Sequence, residues 1–304
     1  MCGCKNNIPL AYNYRTAAEA FNFSQMTRDD KAAAFASSIC VVSDNKYEDS
    51  IDMNMATSAG LFDVSGTETL YAKNVHKQMN PASLTKVMTA LLALKYGNLE
   101  DTITASANVH ITESGAQLVG FKEGDRLTVE QALHALLIYS GNDAAVVLGE
   151  YVSGNLEEFC DLMNQEALML GATHTHFTNP HGLTDENHFT TAYDLYLIFN
   201  EAMKYDKFRE IINLTEYSTT YSDREGNIKE MNFNSTNMYF SGKTSSPENV
   251  TVIGGKTGTT NAAGSCLILL SNDKTGNPYI SVILQATDRD SLYNEMNILL
   301  DTIN

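Results

Sequence analysis

A serine and a lysine, Ser83 and Lys86, stand three residues apart at the start of the stretch PASLTKVMTALLALKYG. The stretch predicts a buried helix, because it consists mainly of strong helix formers and is apolar on most of its surface. Residues three apart lie on the same face of a helix. A serine hydroxyl needs a base before it can attack a carbonyl carbon, and a desolvated lysine can take its proton. The pair therefore predicts an activated serine nucleophile.

The same spacing occurs twice more, at Ser43/Lys46 and at Ser271/Lys274. Both of these copies lie in polar runs rich in Asn and Asp, which are typical of turns with solvated lysines. Only Ser83 precedes a long apolar helix that can desolvate its lysine. The environment, rather than the spacing, selects the first pair.

Among several Ser-x-Asn sequences, Ser140-Gly141-Asn142 stands out because it joins two apolar helical runs, QALHALLIYS and DAAVVLGEYV. A short polar connection between buried helices can present a hydroxyl and an amide to a cleft. We expect Asp143 and its neighbours to cap the second helix. A helix-capping turn with no further role is the alternative. Ser153-Gly154-Asn155 follows the second helix and is typical of a helix C-terminus.

Lys-Thr-Gly also occurs twice. Lys274-Thr275-Gly276 lies between LILL and ISVIL and predicts the turn of a β-hairpin. Lys256-Thr257-Gly258 lies between VTVIGG and TTNAAGSCLILL, where one strand leads into another. A cation, a hydroxyl and a glycine at a strand edge suit an extended peptide that ends in a carboxylate.

Ser-x-x-Lys, Ser-Gly-Asn and Lys-Thr-Gly in this order form the motif set of penicillin-binding proteins and class A β-lactamases. Residues from about 58 to 301 resemble the catalytic domain of the D-alanyl-D-alanine carboxypeptidases. The resemblance extends over the blocks SAGLFDVSGTETLYAKNVHKQMNPASLTK, SGNDAAVVLGEYVSG, MNQEALMLGATHTHFTNPHGLTDENHFTTAYDL and GGKTGTTNAAGSCLILL. It implies a penicillin-binding serine peptidase that removes the terminal D-alanine from peptidoglycan stem peptides.

The resemblance also implies a role for each motif residue. Ser83 would be the nucleophile and Lys86 its general base, Ser140 would pass a proton to the leaving amine, and Asn142 would hold Lys86 and the substrate amide. Lys256 would lower the pKa of its neighbours and supply positive potential. The substrate carboxylate would bind the hydroxyls of Thr257 and Thr259 beside Gly258, and the backbone N–H groups of Ser83 and Thr259 would form the oxyanion hole.

A second anchor for the substrate carboxylate is expected at Arg289, which follows the last strand. A surface arginine capping a turn between Asp288 and Asp290 is the alternative.

The fold that the resemblance implies is α+β, of the DD-peptidase/β-lactamase type. A five-stranded, mainly antiparallel sheet has helices on both faces, and a mostly helical lobe of about residues 85–230 is inserted. We expect an N-terminal tail over residues 1–48 and a catalytic domain over residues 49–304. The order strands, helices, strands supports this arrangement. The β-rich domain and amphipathic C-terminal anchor of many relatives are not expected in this chain.

Composition bears on partners and location. A formal charge of -17 over 304 residues argues against nucleic acid and anionic membrane surfaces. Peptidoglycan is displayed outside the cytoplasmic membrane, so we expect an extracytoplasmic protein of the cell envelope. Cys2 and Cys4 resemble the start of a mature bacterial lipoprotein, which predicts a lipid anchor on Cys2 and a tethering tail. Incidental cysteines, a misplaced start or free secretion are the alternatives. We expect Cys40, Cys160 and Cys266 to be packed thiols.

Four histidines within fifteen residues, His174, His176, His181 and His188, raise a zinc site as an alternative. The segment lacks a helical His-Glu-x-x-His pattern and a catalytic carboxylate, so we expect neither a metal nor another cofactor. Two further alternatives are a β-lactamase and a non-catalytic cell-wall receptor. The segment NPHGLTDENHFTT lacks Glu-x-x-Leu-Asn, which argues against the lactamase. A receptor would not need a nucleophile and a base together.

Overall fold

The structure is a computed structural model that describes residues 35–46 and 51–303. The chain divides into two units, with the boundary after Ser38. In the first unit the described residues form a 3-10 helix, Phe35–Ser38. Most of the predicted tail, with Cys2 and Cys4, lies outside the described residues, so the tail and its boundary after residue 48 stay predictions. All features below belong to the second unit.

A five-stranded antiparallel sheet forms the centre of this unit, with the strand order β2-β1-β9-β8-β7. Its strands are β1 (Ala56–Asp63), β2 (Glu68–Lys73), β7 (Val250–Thr260), β8 (Gly264–Asp273) and β9 (Pro278–Ala286). The first hairpin and the closing strands thus lie in one sheet, far apart in sequence but adjacent in space. The predicted architecture is confirmed.

Both faces of this sheet are covered by helices, because its central strands are apolar at successive positions. In β8, Leu267 and Leu269 pack with Leu292 and Met296 of a C-terminal helix on one face. Ile268 and Leu270 join the larger core on the other face. Successive side chains of a strand point to opposite faces, so a continuous apolar run is what a doubly covered strand requires.

Cys40, Cys160 and Cys266 are free thiols, of which Cys40 and Cys266 are buried.

The helices are α1 (Lys86–Tyr96), α2 (Val129–His134), α3 (Asn142–Ser153), α4 (Leu156–Met169), α5 (Ala192–Ala202), α6 (Asp206–Ile212) and α7 (Arg289–Leu300). The first six lie between β2 and β7 in sequence and make up most of the predicted inserted lobe. The centre of this lobe is α1, whose residues from Lys86 to Ala93 are all buried. None of the helices in the described part of the chain is long and apolar enough to span a membrane.

The inserted lobe also contains a four-stranded sheet that the sequence did not predict, with the order β3-β4-β5-β6. Its strands are β3 (Thr102–Thr104), β4 (Arg126–Thr128), β5 (Glu216–Ser222) and β6 (Ile228–Asn234). Strands of three residues are too short for an alternating pattern to be detected. The β5–β6 hairpin is largely exposed and polar, so it lacks the apolar signal of a core strand.

Candidate active site

Ser83 and Lys86 meet where a short 3-10 helix, Ala82–Thr85, runs into α1. Lys86 is the first residue of α1, and its Nζ lies 2.8 Å from Ser83 Oγ. Ala82, immediately before Ser83, has a left-handed backbone with φ of 48°. A non-glycine residue in this region is strained, and such strain is concentrated at functional sites. The predicted pair is therefore brought into direct contact.

Lys86 is fully buried, and its Nζ is surrounded by three oxygen atoms. Besides Ser83 Oγ it contacts Asn142 Oδ1 at 2.6 Å and the carbonyl oxygen of His181 at 2.8 Å. Burial, followed by the charge of Lys256, holds the pKa of Lys86 well below its ordinary value, and Asp143 opposes this effect. A neutral Lys86 amine can donate to the amide and carbonyl oxygens while its lone pair accepts the proton of Ser83.

Ser140 and Asn142 lie at the connection between α2 and α3. A capping box formed by Thr128 and Gln131 starts α2, which ends in a π-helical turn, Ala135–Tyr139. Single π turns of this kind are frequently found at functional sites. Ser140 follows the turn with a left-handed φ of 72°, and Asn142 is the first residue of α3. The strained connection turns both side chains toward the buried lysines.

Lys256 reaches the same place from strand β7. Its Nζ donates to Ser140 Oγ at 2.9 Å and to the carbonyl oxygen of Thr257 at 2.8 Å. Lys256 is buried, and burial lowers its pKa to about 7. The three motifs therefore form one continuous chain of contacts, in which each lysine bonds one serine hydroxyl.

Gly258 allows β7 to approach the nucleophile closely. A Cβ atom at this position would lie 2.9 Å from the backbone nitrogen of Ser83 and 3.1 Å from Ala82 Cβ. Thr259 follows, exposed at the cleft, while the hydroxyl of Thr257 lies 2.6 Å from that of Thr236. Gly258 thus brings the backbone of β7 next to that of Ser83. The oxyanion hole formed by the N–H groups of Ser83 and Thr259 stays a prediction.

A cleft of about 500 Å³ opens above this site. It is lined by Ser83, Asn142 and Thr259 from the motifs, and further by Glu113, Ser114, Gly115, Gln117, His181, Gly182, Leu183, Thr184, Thr260 and Asn261. The cleft is of the size found for small-molecule and peptide sites.

Arg289, the predicted second carboxylate anchor, does not line this cleft. It is exposed and is the first residue of α7. Sheet register places Thr259 opposite Ser265 and Ser265 opposite Ala286, three residues before Arg289. Arg289 therefore lies near the same end of the sheet, and its role as a carboxylate anchor stays a prediction.

The competing copies of the motifs lie elsewhere. Lys46 is half-exposed and bonds Glu68 at 2.9 Å. Lys274-Thr275-Gly276 forms the turn between β8 and β9, as predicted. Gly154 ends α3 in a left-handed conformation, so the predicted helix stop at Ser153-Gly154-Asn155 is also confirmed.

Asp143 lies in the first turn of α3, and its carboxylate accepts the backbone N–H of Ala144 at 3.1 Å, while the N-cap position itself is Gly141, which has no capping side chain. The same buried carboxylate also accepts the backbone N–H groups of Val119, Gly120 and Phe121 at 2.8–3.1 Å. It thereby fixes a cleft-forming loop to α3. The sequence carried no signal for this contact, since its partners are more than twenty residues away.

Two histidines of the third quoted block, His181 and His188, form hydrogen bonds beside the start of α1. His188 Nδ1 accepts the backbone N–H of Thr178 at 3.0 Å, and its Nε2 lies 2.8 Å from Thr85 Oγ1. His181 Nδ1 accepts the backbone N–H of Leu183 at 3.2 Å. Burial lowers the pKa of His188 to about 4 and that of His181 to about 3, so both rings are neutral at neutral pH. These contacts give the rings a positioning role beside the site.

A separate group with metal-ligand chemistry, formed by Glu130, His134 and Glu210, lies on α2 and α6. Lys207 Nζ donates to Glu130 at 2.8 Å and to Glu210 at 2.9 Å. The single Lys207 ammonium bridges both carboxylates, so these residues form an ion-pair network between two helices.

Comparison with known proteins gives the family. The model of the S11 peptidase family, described as D-alanyl-D-alanine carboxypeptidase, matches residues 45–288. The chain belongs to this family. The matched range includes all three motifs, and the match confirms the resemblance found in the sequence.

Relatives with curated names agree with this assignment. D-alanyl-D-alanine carboxypeptidase DacF of Bacillus subtilis is 34% identical over 255 residues, which cover 81% of this chain and 61% of the relative. DacC of Escherichia coli is 32% identical over 79% of this chain and 59% of the relative. The chain therefore spans about three-fifths of the length of these relatives.

Solved structures show the same fold over nearly their whole length. The Streptomyces K15 DD-transpeptidase superposes with a TM-score of 0.75 at 26% identity, covering 81% of this chain and 96% of that chain. An evolved penicillin-binding protein homologue from Mycobacterium tuberculosis has a TM-score of 0.73 at 28% identity, covering 86% and 96%. The α+β fold of the DD-peptidases is thus confirmed.

Proposed function

We propose that this protein is a serine-type D-alanyl-D-alanine carboxypeptidase that removes the terminal D-alanine from peptidoglycan stem peptides and is acylated by β-lactam antibiotics. The observation that carries the proposal is the position of Lys86 Nζ, buried between Ser83 Oγ at 2.8 Å and Asn142 Oδ1 at 2.6 Å. Its pKa is lowered by burial and by Lys256. A neutral amine beside a hydroxyl is the arrangement that activates a serine.

In the acylation step, Ser83 Oγ attacks the carbonyl carbon between the two D-alanines while its proton passes to Lys86 Nζ. The negative charge on the carbonyl oxygen is stabilised by the backbone N–H groups of Ser83 and Thr259. The C–N bond then breaks. Ser140 gives its proton to the leaving amine and is reprotonated by the Lys256 ammonium that bonds it. The products are an ester on Ser83 and free D-alanine, and the proton held by Lys86 returns to Lys256 through solvent.

Binding of the substrate places its terminal carboxylate near Lys256 and the hydroxyls of Thr257 and Thr259, with Arg289 as a further anchor. Gly258 keeps the strand close enough for the peptide backbone to lie along β7. These steps need neither a metal ion nor an organic cofactor, since the base, the acid and the charge stabilisation come from protein groups.

In the second step, water attacks the ester on Ser83 and releases the shortened peptide. A penicillin occupies the same serine but leaves slowly, because the segment NPHGLTDENHFTT lacks the Glu-x-x-Leu-Asn pattern that positions water in class A β-lactamases. Transfer of the acyl group to an amine is the competing reaction, as the name of the Streptomyces relative indicates.

The experiment is mass spectrometry of a peptide ending in Lys-D-Ala-D-Ala after incubation with the wild-type protein and with Ser83→Ala. The proposal predicts loss of one alanine with the wild type and none with the variant. No loss with either protein would favour the non-catalytic receptor, and equal loss with both would exclude Ser83 as the nucleophile. An added acceptor amine measures the share of acyl transfer.

We further propose that the protein acts outside the cytoplasmic membrane, in the cell envelope, where stem peptides are displayed. A finer proposal is a lipid on the thiol of Cys2, with residues 1–48 as the tether. Two or more acyl chains hold a protein stably at a membrane, whereas one chain holds it marginally. Membrane partitioning of the native gene product and of Cys2→Ala tests this. Equal recovery of both in the soluble fraction would favour free secretion.

A further inference from the structure

One acidic side chain, Glu113, lies in the wall of the cleft. The other described residues that line the cleft are serine, glycine, glutamine, asparagine, leucine, threonine and His181. Burial lowers the pKa of His181 to about 3, so this ring carries no charge at neutral pH. Glu113 is therefore the charged side chain among the described residues that line the cleft, and Lys86 lies behind the lining residues Ser83 and Asn142.

The loop that carries Glu113 is fixed to the motif residues. The carbonyl oxygen of Glu113 accepts the backbone N–H of Ala116 at 3.1 Å, closing a turn. One residue later, the carbonyl oxygen of Gln117 accepts the backbone N–H of Asn142 at 2.8 Å. The Asp143 carboxylate holds the next part of the loop. Glu113 thus has a defined position relative to Asn142 rather than lying on an independent surface loop.

The carboxylate of Glu113 has no hydrogen-bond or ion-pair partner within residues 35–46 and 51–303. In contrast, Glu68, Glu130, Glu166, Glu201 and Glu210 each bond a lysine. An unpaired carboxylate that faces a substrate cleft attracts a cationic group of the ligand.

We infer that Glu113 selects stem peptides that carry a free amine on the side chain of the residue before the two D-alanines, as in a lysine or another diamino acid. This inference rests on the proposed function. In the proposed binding mode the substrate carboxylate lies near Lys256, and the residue before the two D-alanines lies farther along the cleft, toward its open side. Lys256 and Glu113 together match a peptide that has an anionic end and a cationic side chain.

The experiment compares two peptides, Nα-acetyl-Lys-D-Ala-D-Ala with a free ε-amine and the same peptide with the amine acetylated. For each, kcat/KM is measured from released D-alanine, and Kd is measured on Ser83→Ala. The wild type is expected to prefer the free amine by roughly two- to fivefold, the range of a solvent-exposed ion pair. In Glu113→Gln this ratio falls to about one, and in Glu113→Lys it is reversed. The exposed Glu123, which does not line the cleft, provides the matched control Glu123→Gln with an unchanged ratio.

The ratio separates recognition of charge from a structural role, because a distorted loop would slow both peptides equally. High salt should also reduce the wild-type ratio toward one. Equal kcat/KM values for the two peptides in the wild type, with D-alanine released from both, would overturn the role of Glu113 alone. Absence of release from either peptide would overturn the proposed function. In that case the ratio of the Kd values of the two peptides, measured on Ser83→Ala, still decides whether Glu113 selects the amine.

Discussion

The charge of Lys256 adds to burial in lowering the pKa of Lys86, although the two lysines bond different serine hydroxyls. Burial also lowers the pKa of Lys256, to about 7. Below this pH Lys256 is charged and disfavours a second charge on Lys86. The charge of Lys256 therefore favours the neutral amine of Lys86, which is the form that the proposed mechanism uses as the base.

Replacing Lys256 by glutamine should change the pH profile of the acylation rate. The acidic limb of this profile should move to higher pH. The variant lacks the charge that lowers the pKa of Lys86, so Lys86 stays protonated to a higher pH. The rate should also fall on the order of 10²-fold, because Ser140 loses its partner for proton transfer. The measurement is the rate of labelling by a fluorescent penicillin as a function of pH. Lys274→Gln, in the second Lys-Thr-Gly copy, is the control, and an unshifted limb in Lys256→Gln would contradict the coupling.

Replacing Gly258 by alanine should reduce acylation on the order of 10²-fold. The added methyl group would meet the backbone nitrogen of Ser83 at 2.9 Å, so either the strand or the nucleophile must move. Gly276→Ala is the matched control, since nothing lies within 4 Å of a Cβ there. Alanine at position 276 should cost stability, because the backbone there has a positive φ, but it leaves the site intact. If fluorescent penicillin labels Gly258→Ala at the wild-type rate, the close approach of β7 to Ser83 is not required.

Replacing Asp143 by alanine should destabilise the protein by about 3 kcal/mol, because three loop amides lose a charged acceptor. The measurements are urea unfolding and hydrogen exchange of Val119, Gly120 and Phe121, which should become faster. Asp288→Ala removes the N-cap of α7 and serves as the control, with a cost of about 1 kcal/mol and unchanged exchange in this loop. Slow exchange of the three amides in Asp143→Ala would contradict the anchoring role.

His188 should make the fold less stable in mild acid. Its pKa in the folded protein is about 4, below the value of about 6.5 in an unfolded chain, so the unfolded state binds the proton more readily. This contribution to stability is complete above pH 6.5 and is lost as the pH falls toward 4. Between pH 7 and pH 5 the loss is about 2 kcal/mol. Urea unfolding at both pH values should show a smaller difference for His188→Asn, whereas His110→Asn, on an exposed ring, should match the wild type.

The sequence predicted the features that depend on local pattern. An apolar helix after Ser83 separated the buried lysine from Lys46 and Lys274, and a strand context separated the two Lys-Thr-Gly copies. Resemblance to the family supplied the five-stranded sheet of the N-terminal hairpin and the C-terminal strands, in which the pairing of β1 with β9 joins residues more than two hundred positions apart. Local propensity contains no information on such pairings.

The features that were missed depend on contacts between distant segments. The sequence did not indicate the left-handed backbone of Ser140, the loop anchored by Asp143, or the carbonyl oxygen of His181 that contacts Lys86. Backbone atoms are the same in every residue, so their part in a site is invisible until the chain is folded. The four-stranded sheet was missed because two of its strands have three residues each.

The central claim is that Ser83, activated by Lys86, is the residue that is acylated. Intact-mass analysis after incubation with benzylpenicillin, followed by peptide mapping, tests it most directly on the wild type and on Ser83→Ala, Ser43→Ala and Ser271→Ala. We predict one adduct on Ser83 that persists for minutes or longer, is absent from Ser83→Ala and is retained in the other two variants. An adduct on another residue, or rapid loss of the adduct with turnover of the antibiotic, would contradict the account.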